Sequence, residues 1–192
     1  MRNIRPISIP PAENRNMNNG IGIPNHAVFY ALLVKAVNEQ MPEGEAEALI
    51  EAFTVFYGRI RGMRMRSNAD RLQYGCGLSA WFLTSEWRGE ENENISKLKR
   101  SRGEAVTSVE KCGWYLTWKK YGLLNYGTQY CRWIDRAIAA GFAGSFTLSI
   151  PETKANGDKI CRFVYAERGC GRNHRCEGIT GSPVFLPLPG TD

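Results

Sequence analysis

Between residues 144 and 167 the chain changes its hydrophobic period. Phe146, Leu148 and Ile150 alternate with Ser145, Thr147 and Ser149, whereas the N-terminal half repeats every three or four residues. A period of two belongs to a strand with one covered face. A second strand-like run, residues 159–167, follows Asn156-Gly157, a pair that favours a tight turn. The two runs form a hairpin, although the link across residues 151–158 is longer than two residues. A third run, residues 105–112, places Ala105, Thr107 and Val109 on one face and Val106, Ser108 and Glu110 on the other. Strands near 105–112, 144–150 and 159–167 make a small antiparallel sheet.

The rest reads as helix and loop. From 25 to 40, Val28, Leu32, Leu33 and Ala36 mark an apolar face. Pro42 suits the first turn of a second helix to about Arg61, with Leu49, Ile50, Phe53, Phe56 and Tyr57 along one side. A third helix is expected over 72–87, a solvated loop over 90–103, and two further helices over 114–121 and 128–140, the last stopped by Gly141. The expected fold is therefore α+β, a single domain with an N-terminal helical layer packed on the sheet. Residues 1–22 read as an extended arm, 23–167 as the folded domain and 168–192 as an irregular tail.

A chain of 192 residues, 43% of them hydrophobic, buries enough surface to hold one core without metals or disulfides. The six cysteines are accordingly read as thiols. No apolar stretch is long enough to span a membrane, and the first residues lack a secretory leader, so a cytoplasmic protein is expected. A net charge of +6 fits an anionic ligand. Nucleic acid is not expected as a partner, because the basic run Arg59, Arg61, Arg64, Arg66 and Arg71 sits in no recognisable binding module. A small-molecule substrate and a homo-oligomer are the expected partners.

Cys131 and Asp135 are four apart on one helix and so share a face. Cys112 ends a strand, and Cys161 shares the hairpin face of Phe163 and Tyr165, so three thiols and a carboxylate converge if that strand packs beneath the helix. A thiolate nucleophile needs a nearby cation, because a carboxylate alone raises the thiol's pKa. Lys111, Arg132, Arg136 and His26 are available, with Arg132 and Arg136 pointing away from Cys131. The bland alternative is that these thiols are small buried hydrophobes. The aromatic cluster that includes Trp114, Trp118 and Tyr130 is either core or the wall of a ligand pocket. Cys170, His174 and Cys176 lack the second ligand pair of a zinc site, and no metal or cofactor is assigned.

The ordered run Val109-Glu110-Lys111-Cys112, Trp114-Tyr115, Trp118-Lys119-Lys120-Tyr121-Gly122, Tyr130-Cys131 with Asp135 and Gly141-Phe142, then Gly157-Asp158, Cys161, Phe163 and Tyr165, resembles the L-2-amino-thiazoline-4-carboxylic acid hydrolase family. The resemblance covers about 27–167. It implies hydrolytic opening of a cyclic isothiourea to an N-carbamoyl amino acid. The chemistry needs one group to activate the nucleophile and another to protonate the ring nitrogen or the leaving sulfur, roles open to Asp135 or Glu110. Cys131 is the first choice for a covalent nucleophile and Cys112 the second. Lys111 or Arg132 would meet a substrate carboxylate. The alternative is a non-catalytic small-molecule or metal-binding domain of the same fold.

Overall fold

The structure is a computed structural model that describes residues 22–85 and 94–168. The arm over 1–21, the tail over 169–192 with Cys170, His174 and Cys176, and Trp87 lie outside the described residues. Helices α1 (Ile23–Gln40), α2 (Glu43–Arg71) and α3 (Leu78–Thr84) precede strands β1 (Asn94–Ser101) and β2 (Glu104–Cys112). Helices α4 (Gly113–Lys120), α5 (Leu124–Gly127) and α6 (Gln129–Phe142) follow, then β3 (Phe146–Glu152), a 3-10 turn at Lys154–Asn156, and β4 (Cys161–Glu167). The sheet is antiparallel throughout in the order β1-β2-β4-β3. The chain is an α+β protein.

β1 forms where the sequence suggested a solvated loop. Its Lys97, Lys99 and Arg100 are those of a strand pairing on one side only, and charge protects such an edge from pairing with another chain. α3 is shorter than expected, because Gln73 and Gly75 adopt positive φ and end the preceding helical run.

α2 runs to Arg71, and its buried residues are Ala46, Ile50, Thr54, Gly58, Gly62, Met65, Arg66 and Ala69. This corrects the expected core face. Of that stripe only Ile50 is buried; Leu49, Phe53, Phe56 and Tyr57 are exposed. Small residues face α6 because the two backbones touch: a Cβ on Gly62 would lie 2.1 Å from the Ile138 carbonyl oxygen, and one on Gly141 2.2 Å from that of Arg59. Gly141 is thus a point of close approach inside α6, and the helix ends instead at Ala143, in the left-handed conformation. α1 also turns a different face inward, Ala27, Tyr30, Ala31 and Val34. Tyr30 pairs with the hydroxyl of the fully buried Thr54 at 2.9 Å, and Trp118 Nε1 donates to the Ala27 carbonyl at 2.8 Å.

Between helices and sheet, the Trp81 ring packs edge-on to Phe142 at 5.3 Å and Phe146 at 5.2 Å. Cys76 is disulfide-bonded, which corrects the reading of every cysteine as a thiol. Cys112, Cys131 and Cys161 are free.

Candidate active site

The strand register brings the inward faces together. Thr107 lies opposite Phe163, Val109 opposite Cys161 and Ala105 opposite Tyr165, so these six side chains share one face of the sheet. α6 lays Asp135 and Ile138 over that face, and two hollows open where contact is incomplete.

The first, about 190 Å³, is lined by Cys112, Cys131, Cys161, Arg132, Arg136 and Asp135 together with Thr153 and Asn156. The second, about 230 Å³, is lined by Trp81, Phe82, Leu98, Leu148, Phe163 and Tyr165, with Ser85, Ser96, Thr107 and Asp135 as its polar members. Val109, Phe163 and Asp135 belong to both.

Burial raises the Asp135 carboxyl to about 7, against the lowering pull of the Arg61 and Arg136 guanidinium groups. Near neutrality it therefore exists in comparable amounts as acid and carboxylate, the condition under which one group both accepts and returns a proton. Burial also raises the Cys131 thiol well above its ordinary value, with Asp135 as the next cause, and burial raises Cys112. Neither carries the activation that a thiolate nucleophile needs. Cys161 has a different environment: the Lys154 N–H donates to its Sγ at 3.3 Å and the Thr153 hydroxyl lies 3.7 Å away.

Of the residues singled out in the sequence, Cys112, Cys131, Cys161, Asp135 and Arg132 line one hollow together. Arg136 lines it as well, so both arginines share a wall with Cys131, against the expectation that Arg132 and Arg136 point away from it. Arg132 reaches across the surface to Glu47 at 3.3 Å. Glu110 and His26 are elsewhere: Glu110 is exposed and ion-paired with Lys97 at 2.5 Å, and exposed His26 contacts the Gly22 carbonyl at 3.2 Å. Lys111 is half-buried near the end of β2 and lines neither hollow. Trp114 and Tyr130 stack at 4.5 Å as part of the core packing, with Arg61 donating to the Tyr130 hydroxyl at 3.0 Å. The pocket aromatics are Trp81, Phe82, Phe163 and Tyr165, brought from α3 and β4. In the sequence Thr107 is only a strand position, and nothing in its neighbourhood marks its Oγ1, which is buried without a hydrogen-bond partner. Among the described residues, no three or more His, Cys, Asp or Glu side chains are arranged to hold a metal ion. None of the described helices is long and apolar enough to cross a membrane.

No curated protein and no solved structure matches the chain. The family model described as L-2-amino-thiazoline-4-carboxylic acid hydrolase matches residues 24–165, a span that runs from the start of α1 through most of β4, omitting only Ile23 of α1, and holds every residue that lines the two hollows. The chain belongs to the L-2-amino-thiazoline-4-carboxylic acid hydrolase family.

Proposed function

We propose that this protein hydrolyses a small cyclic isothiourea or amidine-like compound, with Asp135 as its general acid and base. The observation that carries the reading is that one carboxyl, raised to about 7, stands in the walls of both hollows. The ring lies against Asp135, with its sulfur toward the thiols and its apolar substituents toward Phe82 and Tyr165. Arg132 and Arg136 meet an anionic group of the substrate.

The steps balance around one carboxyl. Asp135 moves a proton from water to the ring nitrogen as oxygen bonds to the carbon between nitrogen and sulfur. It then moves a proton from the new hydroxyl to the departing sulfur as the carbon–sulfur bond breaks. The products are a carbamoyl group and a free thiol, and Asp135 ends as it began.

Water is the nucleophile in this scheme, because burial holds Cys131 and Cys112 in their thiol forms. Incubation with 2-amino-thiazoline-4-carboxylate, followed by mass analysis of the small-molecule fraction, is the direct test. A product heavier by one water and carrying a new thiol is expected. Equal product from wild type and Asp135→Asn would refute the assignment.

A further inference from the structure

Leu49, Phe53, Phe56 and Ile60 follow one another along α2 at steps of four, three and four, the spacing of the inner positions of a coiled-coil heptad. All four are close to half exposed, from 46% for Leu49 to 55% for Phe56. Tyr57 widens the stripe by stacking on Phe53 with centroids 6.4 Å apart, and the Arg61 guanidinium covers its ring at 5.6 Å. α2 meets α6 through its small residues, so the stripe turns away from the core.

At roughly 150–250 Å² for each large side chain, the five exposed portions amount to about 500 Å² of apolar surface. That is more than scattered surface residues give, and it makes up the apolar centre of a standard interface of about 800 Å² per partner.

The charges along α2 select the partner. Glu43, Glu45 and Glu47 occupy its first turns, while Arg59, Arg61 and Arg64 come after the middle. A helix of the same sequence laid parallel would set like charge against like. Laid antiparallel, it sets acid beside base at both ends, opposes the helix dipoles, and closes as a two-fold pair. The same two-fold places Leu49 of one copy against Ile60 of the other and Phe53 against Phe56, with Glu45 level with Arg64.

We infer that a second copy of this chain docks on the Leu49–Phe53–Phe56–Ile60 stripe, α2 antiparallel to α2, making the protein a homodimer. Light scattering on the full chain during size-exclusion chromatography, at protein concentrations of tens of micromolar, reads the result directly. Wild type elutes as a dimer. Phe53→Glu with Phe56→Glu elutes as a monomer with its far-ultraviolet circular dichroism unchanged, since both side chains are already exposed.

A charge pair tests the orientation without touching the apolar seam. Glu45→Arg weakens dimerisation at least tenfold, and adding Arg64→Glu in the same chain restores it. A monomeric wild type, a dimer that survives the phenylalanine substitutions, or charge reversals with no effect would each overturn the inference.

Discussion

On one side of Asp135 the protein presents three thiols and two guanidinium groups, and on the other an aromatic and aliphatic box with a few hydroxyls. Position along the secondary-structure elements explains the contrast. The polar hollow is built largely by the ends of elements: the last residue of β2, the first of β4 and the turn after β3, beneath the side of α6 that carries Cys131 and Asp135, and there backbone N–H groups such as that of Lys154 are free of the ladder and can face a sulfur atom. The apolar hollow is built by the middle of the sheet and by α3, where the ladder occupies the backbone and only side chains remain to define the wall. A substrate spanning both would meet its chemistry beside the element ends and its selectivity over the sheet.

If Asp135 joins the two halves into one site, Asp135→Asn costs the most. The amide fills the same space but moves no proton, so kcat falls by about 10²–10⁴ while substrate still binds. Measured kcat and KM decide it, and loss confined to KM would make Asp135 a binding residue only. Next in size is the pH response. The carboxylate must be present for water to be activated, so kcat/KM falls about tenfold per pH unit below about 7, and Asp135→Asn removes that limb. Stability moves in the opposite sense. The folded carboxyl titrates near 7 and the unfolded one near 3.8, so the folded state binds more protons between those values. The stability Asp135 permits is fully present below about 3.8 and is lost as pH rises through 7. Urea midpoints at pH 5 and 8.5 should differ more for wild type than for Asp135→Asn.

The half of the site near the element ends was legible in the sequence, because Cys131 and Asp135 sit on one helix face and Cys112 closes a strand. The aromatic half was not, since the helix expected over 72–87 forms only as Leu78–Thr84, and β1, which brings Leu98, has the charge pattern of a loop. α2 shows why pattern failed there. Periodicity reports which side of a helix is apolar, and the interior of this protein wanted the small side, where Gly58 and Gly62 let α6 approach. Glu110 falls outside the hollows as its strand alternation implies, on the face opposite Thr107 and Val109, whereas His26 sits on the exposed side of α1, whose inward face the apolar pattern did not identify.

The thiol half and the aromatic half separate further by substitution. Phe82→Ala removes a half-buried wall of the apolar hollow and raises KM about tenfold with kcat nearly kept, as expected for loss of one large apolar contact. Cys131→Ala and Cys161→Ala, in contrast, lower kcat by less than about tenfold if water is the nucleophile. Intact-protein mass after mixing with substrate should show no covalent adduct. An adduct on wild type that disappears in Cys161→Ala would replace the water route with a covalent one, through the thiol that the Lys154 N–H faces.

The smallest expected effect is also the most specific to the apolar hollow. Thr107 Oγ1 is buried and has no hydrogen-bond partner, although its strand neighbours pair normally with β4. A buried hydroxyl without a partner costs about 1–3 kcal/mol relative to one that is satisfied, and the protein alone gains nothing from keeping it. Thr107→Val exchanges the hydroxyl for a methyl of similar size, so the free protein should be as stable as wild type or up to about 1 kcal/mol more stable by urea denaturation. If the hydroxyl serves a polar atom of the bound compound beside Asp135, the same change raises KM several-fold. The combination distinguishes a ligand contact from a packing role: a residue needed for packing would lower stability, and one without function would leave KM alone. Thr107→Ser, which keeps the oxygen and removes a methyl, should restore KM at some cost in stability, and a KM that stays high would remove Thr107 from the site.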